Sequence, residues 1–290
     1  MPPTASTNTG YQKSERQLAR ERYRRSRAVR SVSITGASSL IVLAALVAGV
    51  VSSPGWQRVQ TTFFSWHDAK VSFPAILEGF WLNLRLLVCC GVVILAFGLV
   101  LALLRTLRGP VFFPLLAVAA VYTDLFRGMP LIITLLLTVY GVPALRLGGV
   151  TNNPVYLGGA ALVLTYSAYV AEVFRAGIES VHPSQRAAAR SLGLSWRLTM
   201  RYVVLPQAIR RVVPPLLNDL VSLQKDTGLV SIGGAVDAVY AAQIYTGQTF
   251  NYTSYVVAGL LFVVLTIPMT RLTDWAAARM NRRQNQGGVV

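Results

Sequence analysis

Seven ionisable side chains, Arg85, Asp124, Arg127, Glu172, Asp219, Lys225 and Asp226, fall within or at the ends of runs that are otherwise apolar. Each has to be held there by a partner, a wet cavity or an end position, because a bare charge in hydrocarbon costs about 2.5–3.5 kcal/mol on insertion scales. The means for covalent chemistry are few. His67 and His182 lie far apart with no carboxylate pair at ligand spacing, so neither a metal site nor a catalytic dyad is expected. Cys89 and Cys90 are adjacent inside an apolar run, where they read as small hydrophobes. None of the lysines, Lys13, Lys70 and Lys225, follows a G-x-x-x-x-G-K-[ST] loop, so no nucleotide should bind here. The chain is expected to carry no catalytic residue, no metal and no cofactor of its own.

The elements that position these charges follow from composition. Of 290 residues 53% are hydrophobic and only 13% charged, against about 25% charged in soluble domains, which makes a bilayer the natural solvent. Apolar runs at 33–51, 80–104, 112–140, 155–174, 212–234 and 255–272 approach or exceed the about 20 residues a crossing helix needs. The reading is an all-α, polytopic membrane helix bundle with about six crossings. The third and fifth runs contain charges and prolines, so their continuity is open. Outer loops are expected at 53–72, 141–154 and 235–251.

One orientation places nearly every arginine on the same side, as the positive-inside rule requires. The arginines of the first 30 residues, Arg105, Arg108, those between Arg175 and Arg211, and those between Arg271 and Arg283 then face the cytoplasm, leaving Arg58, Lys70 and Arg146 outside. The formal charge of +16 is thus spread over inner loops, unlike a nucleic-acid-binding face. Residues 1–32 read as a basic cytoplasmic tail without stable structure, in contact with anionic lipid. Residues 33–53 read as a retained transmembrane helix rather than a secretory signal. The main membrane domain runs over 76–275 with an inner loop at 179–208, and 276–290 form a second cytoplasmic tail.

The inner loop carries the densest helical pattern outside the membrane. Pro183 and Ser184 read as a helix start with Ser184 as N-cap, and Gly193 as its end. Ala187, Ala188 and Ala189 give a face almost without side chains, and Arg186 and Arg190 lie four apart. A second amphipathic piece, 196–205, is expected to stop at Pro206. Such a loop suits close approach by another protein, or rests on lipid headgroups.

The order Ala187-Ala188-Ala189, three residues, Gly193, nine residues, Val203, one residue, Leu205-Pro206 resembles the coupling motif of ABC importer permeases, with Ala187 in place of its Glu and Val203 in place of its Ile. Further stretches, A-E-V-F-R-A-G-I at 171–178, D-L-F-R-G-M-P at 124–130 and K-D-T-G-L-V at 225–230, resemble the polar amino acid permeases of the histidine, glutamine and glutamate type. The resemblance covers about 79–272 and implies a type I importer permease fold in a bacterial plasma membrane. It implies four kinds of partner: a cytoplasmic ATPase dimer that holds ATP and Mg, a second permease chain, the same or homologous, an extracytoplasmic solute-binding protein, and the amino acid itself. Ser184, Ala187, Ala188, Ala189, Gly193, Leu205 and Pro206 are then the residues for ATPase coupling.

For the substrate pathway the candidates are Glu172, Arg85, Asn218 and Arg127. Glu172 suits a substrate ammonium, or else pairs with Arg175 or Arg127. Arg85 suits a substrate carboxylate, or else snorkels to the headgroups. Arg127 should pin the break at Gly128 and Pro130 against Asp124, and Lys225 should pair with Asp226. Glutamate or glutamine is the expected cargo. An ion-coupled secondary amino-acid transporter is the alternative, against which stands the lack of any duplicated segment.

Overall fold

Strong helix formers around apolar stretches make the chain helical nearly throughout. The computed structural model describes residues 15–107 and 109–286, and among them every regular element is a helix. The chain divides into two compact units, Met1–Gln60 and Thr61–Val290.

The first unit holds α1 (Glu15–Val51), whose part Ser33–Val51 is apolar and long enough to cross a bilayer. The unstructured tail expected over 1–32 differs from this: residues 1–14 lie outside those described, but the helix already begins at Glu15. Glu, Arg, Gln, Leu and Ala dominate 15–30, and an apolar helix that has already nucleated extends through good formers by propagation alone. In sequence, α2 (Trp56–Phe63) spans the boundary between the units.

The second unit is built on α3 (Trp66–Thr106), which starts ahead of the apolar run because the Ser65 hydroxyl caps it, accepting from the Asp68 N–H at 3.3 Å. The run at 112–140 is divided: α4 (Phe113–Gly128) ends at Met129-Pro130, where proline removes an N–H and bars the preceding residue from helix. It resumes as α5 (Leu131–Leu136), one π-helical turn at Leu137–Gly141, and α6 (Val142–Ala144). Then follow α7 (Pro154–Glu179), α8 (Pro183–Ser191), α9 (Trp196–Thr199), a second π turn at Met200–Val204, and α10 (Leu205–Asp226).

Pro206 therefore does not stop the helix. Both π turns stand just ahead of a proline, Pro143 and Pro206, and in each the N–H that closes the turn reaches five residues back, Val142 to Leu137 and Leu205 to Met200. Widening the turn moves aside the carbonyl that a proline ring strikes in a regular helix.

The expected outer loop at 235–251 is mostly α11 (Ala238–Thr249), whose small residues Ala238, Ala241 and Ala242 are buried. It follows a 3-10 turn (Thr227–Gly233) and is bent by 48° from the helices of Trp196–Gly233. The last element is α12 (Thr253–Gln286). Among the described residues five helices are long and apolar enough to cross a membrane, and the bent pair makes a sixth if taken as one span, as the sequence suggested.

The core joins Leu86, Cys90 and Ile94 of α3 to Leu162, Tyr166 and Val170 of α7 and to Leu223 and Val230. Helices meet backbone to backbone where glycine allows it: a Cβ on Gly79 of α3 would lie 2.3 Å from the Asp237 carbonyl carbon, just ahead of α11. Cys90 is buried in this core and Cys89 exposed beside it.

Candidate functional site

The loop after α7 is tied to it by arginine. Helix α7 ends with orphan carbonyls, and two of them are taken by side chains from beyond it: Arg186 donates to Ile178 O at 2.6 Å, and Arg211 of α10 donates to Ser180 O. The N-cap of α8 is His182 rather than Ser184; its Nδ1 accepts from the Ser184 N–H at 3.2 Å and lies 2.7 Å from the Ser184 hydroxyl. An imidazole does here what a hydroxyl usually does. At the other end, Gly193 N–H bonds Arg190 O and Leu194 N–H bonds Ala189 O, with Gly193 at φ +83°, a paired closure that glycine adopts without strain. Ala189 is buried while Ala187 and Ala188 are exposed, and Arg186 turns back to α7 so that only Arg190 stays exposed. Leu205 and Pro206 open α10 behind the π turn.

Glu172 is a hub. Its carboxylate receives Arg105 of α3 at 3.0 Å and Arg175 through Nε at 3.1 Å and Nη2, with Arg127 of α4 at 3.8 Å. Arg175 reaches on to Glu179. Arg127 thus faces Glu172 and not Asp124, which is exposed. The break after α4 is held from α7 as well, where the Tyr169 hydroxyl donates to Arg127 O at 3.4 Å. One carboxylate shared by three guanidiniums joins three helices at one end of the bundle.

About one turn along α7 from Glu172 opens a polar cavity lined by Thr165, Tyr166, Tyr169, Asp219, Ser222 and Asp226. The Tyr166 hydroxyl donates to Asp226 at 2.7 Å. Asp226 is therefore not the partner of Lys225, which is exposed and makes no ion pair among the described residues. Asp219 Oδ2 is buried without a hydrogen-bond partner among the described residues, as is Thr165 Oγ1, and Asp219 also borders a second, apolar cavity with Gly91, Ile94 and Leu216. Among the described residues no cationic side chain lines either cavity. Two carboxylates and several hydroxyls without a cation can accept an ammonium or guanidinium.

The other sequence candidates sit apart from this cavity. Asn218, beside Asp219, is exposed. Arg85 is exposed on α3 over the Trp81 ring at 5.6 Å, and lines separate cavities with Glu78 and with Cys89 and Tyr156. Sequence reasoning missed the buried pair Asn83 and Asp237: Asn83 donates to Asp237 at 3.0 Å and accepts from the Ala238 N–H at 3.1 Å, while Asp237 caps α11 through the Tyr240 N–H at 2.8 Å. It missed Asp68 as well, which accepts from Tyr245 at 2.7 Å and Asn251 at 3.0 Å. Among the described residues no group of His, Cys, Asp and Glu could hold a metal.

Apolar spans around a charged, hydroxyl-lined interior, with a rigid loop of small residues outside them, define a membrane transport subunit. The chain belongs to the family of binding-protein-dependent transport system inner membrane components, whose model matches residues 95–284. It is 33% identical over 198 residues to an arginine transport system permease protein, ArtQ, of Bacillus subtilis (strain 168), covering 68% of this chain and 88% of that one. It is 32% identical over 215 residues to a probable glutamine ABC transporter permease protein, GlnM, of the same organism, covering 73% and 95%. A crystal structure of an amino acid ABC transporter with histidines superposes with a TM-score of 0.68 at 31% identity, over 74% of this chain and 98% of the other. The chain is a multi-pass permease subunit of an ABC importer, and the secondary-transporter alternative falls away.

Proposed function

We propose that this permease conducts a polar amino acid into a bacterial cell across the plasma membrane, driven by ATP hydrolysis on a separate cytoplasmic ATPase dimer that binds ATP and Mg. The observation that carries the reading is the clamp between loop and bundle: α8 reaches Ile178 through Arg186, and α10 reaches Ser180 through Arg211. A push on α8 is therefore delivered to α7 and α10, the helices that hold the polar cavity. The chain works beside a second permease, the same or homologous, and receives cargo from a solute-binding protein outside. Both termini lie in the cytoplasm, in line with the placement of arginine.

The cavity carries the substrate's ammonium on Asp219, with Asp226, Ser222 and the tyrosines around it. Carboxylates without a facing cation favour an amide or basic side chain over an acidic one, so glutamine and arginine stand ahead of glutamate. Glu172 and Arg127 act as a tie between helices whose opening accompanies transport, rather than as ligands.

Cells carrying this chain with its ATPase and binding protein should accumulate labelled glutamine or arginine, and arsenate, which depletes ATP, should abolish the uptake. Uptake that survives arsenate and collapses with a protonophore would refute ATP-driven import.

A further inference from the structure

We propose that the face of α3 from Glu78 to Val93 holds one phospholipid with a primary-amine headgroup, of the phosphatidylethanolamine kind. Its ammonium meets Glu78, its phosphate Arg85, and an acyl chain runs along Cys89 and Val93. The transport reading enters only through the choice of leaflet, the outer one in the orientation proposed above.

Glu78, Leu82, Arg85, Cys89 and Val93 follow one another at spacings of three or four residues, so all five lie on one face of α3. Two cavities adjoin along that face, and Leu82 and Arg85 border both. The one nearer the start of α3, about 420 Å³, lies against Ala241 and Ile244 of α11 and takes in Glu78 and Trp81. The deeper one, about 500 Å³, lies against α7 between Tyr156 and Val163, and Arg85 is the single charged residue bordering it among those described. Its floor is shut: the Cys90 thiol donates to Gly159 O at 3.7 Å, and Leu86 and Cys90 pack into the core with Leu162.

Depth and charge decide the occupant. Arg85 and Arg105 of α3 are separated by about 30 Å at helical rise, the thickness of the hydrocarbon layer. With Arg105 at one interface, Arg85 stands at the other. Trp81, whose ring lies 5.6 Å from the Arg85 guanidinium, and Tyr156 across the groove are of the types enriched at headgroup level. From Arg85, Glu78 lies about 10 Å further toward water and Val93 about 12 Å into the hydrocarbon. Neither Glu78 nor Arg85 has a hydrogen-bond or ion-pair partner among the described residues, and both are exposed. Acid, base and apolar groove thus stand in the order ammonium, phosphate and acyl chain. An anionic phospholipid satisfies Arg85 but is repelled by Glu78, and a quaternary headgroup has no N–H to donate to that carboxylate. A free amino acid reaches the two charges at most and leaves the apolar groove empty.

The test titrates the full chain, washed free of lipid in mild detergent, with phosphatidylethanolamine, phosphatidylglycerol or phosphatidylcholine of equal chain length, counting bound lipid by native mass spectrometry. One phosphatidylethanolamine per chain should bind at least about tenfold more tightly than either of the others. Glu78→Gln should bring phosphatidylethanolamine and phosphatidylglycerol within about twofold of each other, whereas Arg85→Gln should weaken both about tenfold. Val93→Trp, which fills the apolar end, should weaken phosphatidylethanolamine about tenfold without changing the order of the three lipids. All three side chains are exposed, so melting temperatures should match the wild type, and Arg85→Lys should recover part of what Arg85→Gln loses. Equal binding of the three lipids, unmoved by any variant, overturns the proposal and leaves ordinary bilayer contact. Phosphatidylglycerol held as tightly as phosphatidylethanolamine by the wild type overturns the role of Glu78 and the amine headgroup with it. Displacement of the lipid by glutamine or arginine overturns it in favour of a cargo site at Arg85. None of these readouts involves uptake, so a failure of ATP-driven import is a separate result.

Discussion

Arg105 of α3 and Glu172 of α7 meet at 3.0 Å across 67 residues of sequence, and the same carboxylate also receives Arg175 and faces Arg127. Three positive charges on three helices thus depend on one side chain that is 21% exposed.

Replacing Glu172 with Gln takes the shared counter-charge from Arg105 and Arg127 and leaves Arg175 with Glu179 alone among the described residues. The expected loss of stability is about 2 kcal/mol, less than the roughly 3–5 kcal/mol of a fully buried pair because the site is partly wet. Thermal unfolding in detergent should show a lowered midpoint, with Arg105→Ala losing less. An unchanged midpoint for Glu172→Gln would mean that the hub holds nothing together.

Asp219→Asn should separate transport from folding. The Asp219 Oδ2 atom already lacks a partner, so removing its charge relieves desolvation and should leave the melting temperature equal or higher. Uptake should fall more than about tenfold, since a hydrogen bond to a charged group contributes about 1.5–3 kcal/mol. Equal uptake by the variant removes Asp219 from the pathway.

Gly193→Val tests the loop. There is open space around Gly193, so the cost arises from its φ of +83° alone, about 1–2 kcal/mol for an L residue and more for a β-branched one. The loop should unravel locally, with ATPase co-purification reduced while the unfolding midpoint of the bundle stays put. A drop in the midpoint equal to that of a core variant would show that the loop is part of the core.

At Gly79 even a methyl group is too much. Its Cβ would lie 2.3–2.5 Å from backbone atoms of Asp237 and Ala238, which cannot step aside as a flexible side chain does. Gly79→Ala should cost about 3 kcal/mol, the upper end for overpacking, and yield little folded protein. Gly259→Ala on α12 has nothing within 4 Å and should be neutral or gain about 0.5–1 kcal/mol through helix propensity. Folded yield measured by size-exclusion chromatography should rank the two in that order.

The crossings were legible in the sequence because long apolar runs announce themselves without any knowledge of neighbours. The short helix between α7 and α10 was legible through residue type and spacing, down to the glycine that closes it. What failed depended on distant partners. Arg127 and Asp124 stand three apart, which invites a local pair, but only the packing of α7 on α4 brings Glu172 within reach. Helix α11 is rich in Ala, Tyr, Gln and Thr, too polar for a membrane run, and its burial is visible only once Gly79 admits it against α3. Lys225 and Asp226 are adjacent in sequence, yet folding turns one outward and gives the other Tyr166. The cap at His182 was missed because imidazole is a rare N-cap, and the passage through Pro206 because a widened turn leaves no mark in composition.

Asn83 is buried in α3, and its partner Asp237 is made 154 residues later. During synthesis α3 therefore enters the bilayer with an unmatched amide that no lipid can satisfy. The amide stays orphaned until the segment before α11 arrives. Completion of the chain is thereby written into the membrane core: a product truncated before Asp237 keeps an exposed polar flaw in hydrocarbon, the kind of defect by which quality-control proteases tell unfinished membrane proteins from finished ones.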